Sequence, residues 1–159
     1  MCMYIQLNIK MKKRTKTTTP DLIAQDCIAV RMRLLNRVVS KVYDDALRPL
    51  GLKTSQLNIL VVTARRGLVR PAEIRGQLKM DISTVSRNVD RMRAKGWIEV
   101  VEDEQDGRAH QLRLSAIGQR LLEKAKPAWD QAQGKVKELL GRDGIEAIMR
   151  GAERVRAKA

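Results

Sequence analysis

Hydroxyl and guanidinium groups recur along the segment "ISTVSRNVDRMRAK", residues 82–95, in a pattern that suits contact with nucleic acid. Val85, Val89 and Met92 follow one another at four- and three-residue steps, so they share one face of a predicted helix. Serine and threonine can bond base edges or phosphates, and arginine can bind guanine through two hydrogen bonds. An ordinary amphipathic surface helix has the same pattern, and this segment alone does not separate the two interpretations. The candidate DNA contacts of this recognition helix are Ser83, Thr84, Ser86, Arg87 and Arg91.

The stretch "VEDEQDGRAH", residues 101–110, places four acids before a glycine and an arginine, although the chain carries a net charge of +14. Asp106 precedes Arg108 by two residues. In a tight turn, a carboxylate at that spacing can pair with the guanidinium and set its direction. We therefore expect a hairpin tip at which Asp106 holds Arg108 toward a DNA minor groove, where narrow A·T-rich tracts deepen the negative potential. The alternative is a solvated loop whose charges contact nothing specific.

The sequence offers no residues arranged for catalysis or metal binding. His110 is the only histidine, and Cys2 and Cys27 lie too far apart for the spacing of a zinc site. No glycine-rich phosphate loop and no nucleophile with a base partner is visible. Two isolated cysteines suit a reducing cytoplasm better than a disulfide scaffold. We therefore expect a cytoplasmic protein that is not an enzyme and holds no metal or cofactor, with His110 exposed.

The charge of the chain points to a polyanionic partner. The 32 Lys and Arg residues exceed the 18 Asp and Glu residues, and the sequence pI is near 10.4. Such a field favours nucleic acid first and an anionic membrane second. No apolar run approaches the roughly 20 residues that span a bilayer. We therefore expect double-stranded DNA as the partner and no membrane. The hydrophobic fraction of 43% allows a core, which must be built without any Phe.

The recognition helix is predicted to lie between a short helix and a hairpin. Pro71 opens the short helix "PAEIRGQL", and Asp81 is a candidate N-cap after a tight connection, which gives helix-turn-helix geometry. After Gly96 the apolar period changes to that of strands, and "WIEVV" and "HQLRL" predict the two arms of a hairpin around the charged loop. The position of this hairpin, directly after the recognition helix, is where a wing belongs.

Long helices are predicted on both sides of this region. Apolar spacings predict a helix over 21–47, and a further helix, "QLNILVVTARRG", begins after Thr54 or Ser55 as its cap and ends at Gly67. Ser115 can cap a helix over 116–140, in which Pro127 predicts a kink or break near Lys126. "GRDG" then precedes the last helix. The apolar stripes exceed what one small lobe needs to cover, which favours a homodimer over a closed monomer core.

These elements predict a mainly α fold with a small β-hairpin wing. The winged helix-turn-helix lobe is expected at about 54–115, and dimerisation helices at about 21–47 and 116–157. Residues 1–20 are expected to form a basic, disordered arm, and either Met1 or Met11 can be the natural start. Trp97 and Trp129 are interpreted as packing residues.

From about Asp21 to the C-terminus the chain resembles the MarR family of bacterial winged-helix regulators. The segments that carry the resemblance are "LKTSQLNIL" and "RPAEIRGQLKMDISTVSRNVDRMRAKGWIEVVEDEQDGRAHQLRLSAIGQRLL". Its most specific elements are the Asp-x-Arg at Asp106 and Arg108, the Lys-Gly-Trp-Ile turn at residues 95–98 and the Leu-Ser-Ala-Ile-Gly step at residues 114–118. Arg75 departs from the pattern, since the family usually has a small residue there; it could add a phosphate contact.

The resemblance implies a homodimer that binds a pseudo-palindromic duplex near a promoter, usually as a repressor. It also implies release of DNA by a small effector, commonly an aromatic acid, that binds between the dimerisation helices and the DNA-binding lobe. A hydroperoxide-sensing branch of the family uses a cysteine of the first helix. Cys27 lies early in that predicted helix, but it does not align well and Tyr43 is too distant to assist it, so we interpret Cys27 as a packing residue. The alternative function is non-specific coating of nucleic acid by a basic architectural protein, which the net charge of +14 would support.

Overall fold

The computed structural model describes residues 18–102 and 110–158. The chain divides into two compact units, Met1–Asn36 and Arg37–Ala159. In chain order the helices are α1 (Thr19–Asp26), α2 (Ile28–Leu47), a 3-10 turn (Arg48–Leu50), α3 (Thr54–Arg66), α4 (Pro71–Leu78), α5 (Ile82–Ala94) and α6 (Ala116–Ala157). The strands are β1 (Leu68–Val69), β2 (Ile98–Glu102) and β3 (His110–Leu114).

The helix predicted over 21–47 is interrupted, so the prediction of a single continuous helix there is wrong. Cys27 has an extended ψ of 106° and separates α1 from α2. Its thiol is free and half-buried, and it lies in the break, not early in a helix. The backbone N–H of Thr18 donates to Asp21 over 2.9 Å, which supports the start of α1 at Thr19. The last residues of the expected arm therefore belong to a helix, and residues 1–17 lie outside the described range.

The start of α3 is fixed by the preceding helix. The carboxylate of Asp44 on α2 accepts hydrogen bonds from the backbone N–H of Thr54 over 2.7 Å and from its hydroxyl over 2.6 Å. A helix begins with N–H groups that lack intrahelical acceptors, and Asp44 satisfies one of them. The predicted cap at Thr54 or Ser55 is therefore wrong, because the N-cap position is Lys53. The predicted end of α3 at Gly67 is confirmed, with φ of 75°.

The helix-turn-helix is formed by α4 and α5. The chain leaves α4 through Lys79, whose φ of 52° lies in the left-handed region that non-glycine residues seldom adopt. Asp81 occupies the N-cap of α5 with extended backbone, as predicted, although its side chain caps no N–H of the described helix. The turn Lys79–Met80–Asp81 thus connects α4 to α5 in three residues.

A three-stranded antiparallel sheet has the strand order β1-β3-β2, with β1 between α3 and α4 and the other two strands after α5. Its predicted hairpin is confirmed, with Ile98 opposite Leu114 and Glu102 opposite His110. The two-residue strand β1 was not predicted; it pairs Leu68 with Arg113 and so attaches the end of α3 to the return strand of the hairpin.

The core of the second unit lies between α3, α5, the sheet and the first turns of α6. It contains no Phe, as the composition requires, and is built mainly from Leu, Ile, Val and Met. Trp97 is buried within this cluster and Trp129 packs against it, so both indoles are packing residues as predicted. The fully buried side chains include Leu47, Leu52, Ile59, Leu60, Ile74, Met92, Ile98 and Leu112.

The two predicted C-terminal helices form one element, α6, which is divided by a kink at one residue. α6 continues through Pro127, and the expected break near Lys126 is wrong; the non-helical residue is Gly141, with φ of 66° and ψ of 171°. Pro127 lies on the exposed side, where a carbonyl released from the helix can bind water. Gly141 lies in the predicted "GRDG" turn, so the predicted interruption between the helix over 116–140 and the last helix is confirmed. Within the described residues, no helix has the length and apolar character needed to cross a membrane.

Candidate nucleic-acid interface

α5 presents one apolar face to the core and a polar face to solvent. Val85, Val89 and Met92 are buried, with exposed fractions of 1%, 9% and 0%, as their spacing predicted. Asn88 is buried between them, and its amide donates to the carbonyl oxygen of Thr84 over 2.9 Å. The sequence pattern did not identify Asn88 as a buried residue, because an amide that bonds within its own helix looks like a surface residue in the sequence.

The candidate contacts lie on the other faces of α5. Ser83, Ser86, Arg87 and Arg91 are exposed, whereas Thr84 is half-buried. Among the described residues, neither Arg87 nor Arg91 forms a side-chain hydrogen bond or ion pair. Their guanidinium groups are therefore free to bind an anion, and the helix keeps hydroxyl groups beside them.

The turn and the end of α5 add further positive charge near this face. Arg75 on α4, Lys79 in the turn and Arg93 on α5 are all exposed. Sequence reasoning identified Arg75 as a departure from a pattern but did not single out Lys79 or Arg93. The excess of Lys and Arg in residues 75–95 was the signal available for them. Such a concentration of cations favours a polyanionic surface.

The hairpin rises from the sheet beside α5, and its base is held by an ion pair. Arg113 contacts Glu99 across the strands, with Nη2 and Oε2 2.7 Å apart and Nε and Oε2 3.1 Å apart. His110 is exposed on the return strand, as expected. Asp106 and Arg108 lie outside the described residues, so their predicted pairing remains a prediction.

Ser115 and Gly118 join the hairpin, α5 and α6. The Ser115 hydroxyl accepts from the backbone N–H of Gly118 over 3.0 Å, as predicted for a cap, and donates to the carbonyl oxygen of Gly96 over 2.5 Å. The backbone N–H of Ser115 donates to the carbonyl oxygen of Trp97, and the backbone N–H of Trp97 donates to the carbonyl oxygen of Met92. The root of the hairpin is thereby tied to the end of α5.

An open groove of about 490 Å³ lies on the same unit, at the end of α3. Leu68 and Leu114 form apolar parts of its lining, and Arg66 and Arg113 supply two guanidinium groups. A groove with apolar walls and a few convergent polar groups can hold a small organic molecule. In the described ranges, no three His, Cys, Asp or Glu side chains come together as a metal site.

Residues 50–109 match the model of a family described as the MarR family. This segment contains α3, the helix-turn-helix and the first part of the hairpin. The multiple antibiotic resistance protein MarR of Salmonella typhimurium is 27% identical over 108 residues, which are 67% of this chain and 75% of that relative. The sequence similarity thus extends over the candidate interface and beyond it.

Two solved structures share the fold. A mutant MarR from E. coli complexed with operator DNA matches with a TM-score of 0.75 at 19% identity, over 84% of this chain and 96% of that chain. BpsR from Bordetella bronchiseptica, described in connection with regulation of its DNA binding by 6-hydroxynicotinic acid, matches with a TM-score of 0.75 at 17% identity, over 83% of this chain and 94% of that chain. The predicted fold class, a mainly α winged helix-turn-helix, is confirmed.

Proposed function

We propose that the chain is a transcription regulator of the MarR family, whose model it matches over residues 50–109, and that it binds one specific DNA sequence as a homodimer and represses transcription there. A regulator of this kind must recognise a sequence, hold two half-sites at once and respond to a signal. Each of these requirements concerns a different part of the described chain.

The observation that carries the proposal is the free polar face of α5. Arg87 and Arg91 are exposed without an internal partner in the described residues, next to the hydroxyl groups of Ser83 and Ser86. Arginine and serine on a helix can bond base edges in the major groove.

Exposed apolar residues on the terminal helices support a homodimer. In the first unit, Ile28 and Leu34 are 74% and 61% exposed. In the second unit, Leu139, Met149 and Val155 on α6 are 56%, 58% and 66% exposed. Large apolar groups repeated along a helix usually mark a surface that another chain covers. Two recognition helices related by a two-fold axis would read half-sites about 34–36 Å apart, which predicts a pseudo-palindromic operator.

The groove beside α3 supports control by a small acidic effector. Arg66 is exposed and has no ion-pair partner in the described chain, so it could bind a carboxylate, while Leu68 could cover an aromatic ring. A ligand shifts an equilibrium toward the state that it binds better. If this ligand bound preferentially to a form of the dimer whose recognition helices are spaced wrongly for the two half-sites, it would release the DNA. BpsR provides a case of DNA binding regulated by 6-hydroxynicotinic acid in a protein of this fold.

The test is a fluorescence-anisotropy titration of the full chain. The labelled duplex comes from the intergenic DNA upstream of its own gene, and a scrambled duplex of equal composition serves as the control. Both are measured at roughly 0.15 M salt, where the Debye length is about 8 Å. Specific binding should exceed non-specific binding by about a thousandfold or more. Arg87→Ala should remove most of this difference. Addition of aromatic acids to the complex then screens for an effector.

Non-specific coating of nucleic acid is the second candidate function. The net charge of +14 favours it, because neutralising phosphates gives affinity for any sequence. Equal affinity for the two duplexes, and for duplexes selected from a random pool, would support coating and overturn sequence-specific regulation. A strong salt dependence alone would not decide, since both functions require it.

A further inference from the structure

Ile82, the first residue of α5, is unusually exposed for a large apolar side chain. Its exposed fraction is 71%, the highest among the large apolar residues described between Arg37 and Lys158. The side chain was not among the residues that the sequence suggested as contacts, because it continues the apolar spacing of Val85 and Val89. Those two are buried, with exposed fractions of 1% and 9%. Ile82 extends their row one turn beyond the core, where it packs against nothing that would bury it.

The surroundings of Ile82 identify the kind of surface that it fits. Ser83 and Ser86 beside it are exposed, and Arg87 is free of partners in the described chain. A protein interface would instead need several apolar residues together at its centre. A base-pair edge in the major groove offers hydrogen-bonding groups with a single apolar group, the C5-methyl of thymine. One isoleucine between hydroxyl groups and arginines has the same mixture.

We infer that Ile82 contacts the C5-methyl group of one thymine in each half-site and thereby selects thymine over cytosine at that position. The inference rests on the proposed function, in which α5 enters the major groove with its first turn at the base edges. A β-branched side chain in a helix has one strongly preferred rotamer, so Ile82 loses little freedom on contact. Cytosine has a hydrogen atom where thymine has the methyl group. Cytosine at this position would therefore leave Ile82 partly exposed to water and would not replace the lost contact.

The test removes the methyl group alone. A duplex is first selected from a random-sequence pool with the full chain, and each thymine of its half-sites is then replaced by uracil, symmetrically in both halves. Uracil pairs as thymine does but lacks the methyl. Burial of one such group corresponds to about a fourfold difference in affinity, and two half-sites to about fifteenfold. We expect this loss at one thymine position.

The Ile82→Ala variant shows whether Ile82 is responsible. It should bind the thymine duplex about fifteenfold more weakly than the unaltered chain and should bind the thymine and uracil duplexes equally at that one position. Ile82→Val should retain part of the preference. Ile117→Ala is the matched control, because Ile117 is also an exposed isoleucine, 51% accessible, on a different helix of the same unit. It should leave the preference intact.

Two results would overturn the inference while leaving the proposed function in place. One is specific binding that no uracil substitution weakens. The other is a uracil-sensitive position whose sensitivity persists in Ile82→Ala. A selection that returned no preferred sequence would overturn the proposed function and this inference together, and it would be recognised at the first step. The uracil series on the unaltered chain needs no variant, so the test holds even if Ile82→Ala folds poorly.

Discussion

The ammonium group of Lys95 donates a hydrogen bond to the carbonyl oxygen of Gly51, 3.0 Å away, and lies 4.4 Å from the centre of the Trp97 ring. Lys95 directly follows α5, whereas Gly51 closes the 3-10 turn before α3 with φ of 63°. One side chain thus joins the end of α5 to the turn that leads into α3.

Replacement of this lysine by methionine should weaken both folding and DNA binding. Lys95→Met keeps most of the aliphatic stem but removes the ammonium group. We expect the free energy of unfolding to fall by about 1 kcal/mol, the usual contribution of such a hydrogen bond. DNA affinity should fall as well, because the end of α5 loses a tether. Urea denaturation and anisotropy measure the two effects. Lys124→Met, at an exposed lysine of α6 without a described partner, is the control, and equal losses in both variants would contradict this role of Lys95.

Gly118 is required where α6 passes the backbone of Trp97. A Cβ atom at Gly118 would lie 2.0 Å from the Trp97 carbonyl oxygen and 2.9 Å from a methyl of Leu114. The carbonyl cannot move freely, because it accepts a hydrogen bond from the backbone N–H of Ser115 over 3.1 Å. Overpacking of this kind typically costs about 1–3 kcal/mol. We therefore expect Gly118→Ala to lower the free energy of unfolding by at least that amount, as measured by thermal and urea denaturation.

The same substitution at Gly76 should have the opposite sign. Gly76 lies inside α4, and a Cβ atom there would meet nothing within 4 Å among the described atoms. Alanine in a helix interior is favoured over glycine by roughly 0.5–1 kcal/mol. Gly76→Ala should therefore raise the free energy of unfolding. A decrease in the free energy of unfolding for Gly76→Ala would contradict the open space beside Gly76. The contrast with Gly118 would then no longer hold.

Much of the fold follows from local signals in the sequence. Gly67, Pro71 and Ser115 each mark a helix boundary through their own backbone or side-chain preferences, and the structure has boundaries at all three. The hairpin was predictable because its strands differ in period from the helix before them. The burial of Val85, Val89 and Met92 follows from spacing alone.

The features that escaped prediction depend on distant residues or on solvent. The cap of α3 comes from Asp44, ten residues earlier, and no local pattern at Thr54 indicates it. The strand β1 exists only because Leu68 and Val69 pair with β3. Pro127 does not interrupt α6, since the exposed side of a helix tolerates a lost hydrogen bond. Of the candidate site, the sequence identified the exposed residues of α5 but not Lys95 or Ile82, whose roles depend on what surrounds them in space.

The stability of the fold should depend on the ionisation of Tyr43 at alkaline pH. Its hydroxyl on α2 donates a hydrogen bond to Oε1 of Gln133 on α6. Burial raises the pKa of Tyr43 above its ordinary value of 10.0. The folded state therefore favours the neutral phenol. Its contribution to stability is complete below about pH 10, the unfolded-state pKa, and is lost as pH rises through the higher folded-state pKa.

The variant Tyr43→Phe isolates this effect from other titrating groups. At neutral pH it should be less stable than the unaltered chain by about 1 kcal/mol, because the hydrogen bond is lost. As pH rises above about 10, the two free energies of unfolding should converge, since only the unaltered chain has a phenol to ionise at this position. Guanidinium denaturation at a series of pH values measures both. A difference that stayed constant with pH would mean that the phenol ionises equally easily in the folded and unfolded states.

Loss of either wing residue should weaken DNA binding. Arg108→Ala should cost about 1–3 kcal/mol of binding free energy, as for an arginine that contacts a groove directly, with no loss of folding. Asp106→Ala should cost nearly as much, because Arg108 loses its orienting partner. Anisotropy with the selected duplex measures both. Lys124→Ala, which removes one positive charge from an exposed position of α6 without a described partner, is the control. If Asp106→Ala bound DNA more tightly, the acid would act only by repulsion.

The proposed dimer can be tested through the exposed apolar residues of the terminal helices. Leu34→Glu and Leu139→Glu place a carboxylate at positions that are 61% and 56% exposed in the single chain. If a second chain covers these positions, each variant must bury a charge without a partner, which costs several kcal/mol, and the dimer should dissociate. Ile117→Glu, at a position 51% exposed, is the matched control and should remain dimeric.

Sedimentation at micromolar concentration distinguishes the 18.0 kDa chain from its dimer in all three variants. Because two half-sites are bound together only by a dimer, dissociation should also abolish tight binding to a pseudo-palindromic duplex while leaving weak binding to one half-site. A variant that remained dimeric with the glutamate in place would remove that residue from the interface. Dissociation by Ile117→Glu alone would move the interface to the first turn of α6. Loss of operator binding without dissociation would instead show that these helices set the spacing of the recognition helices within an intact dimer.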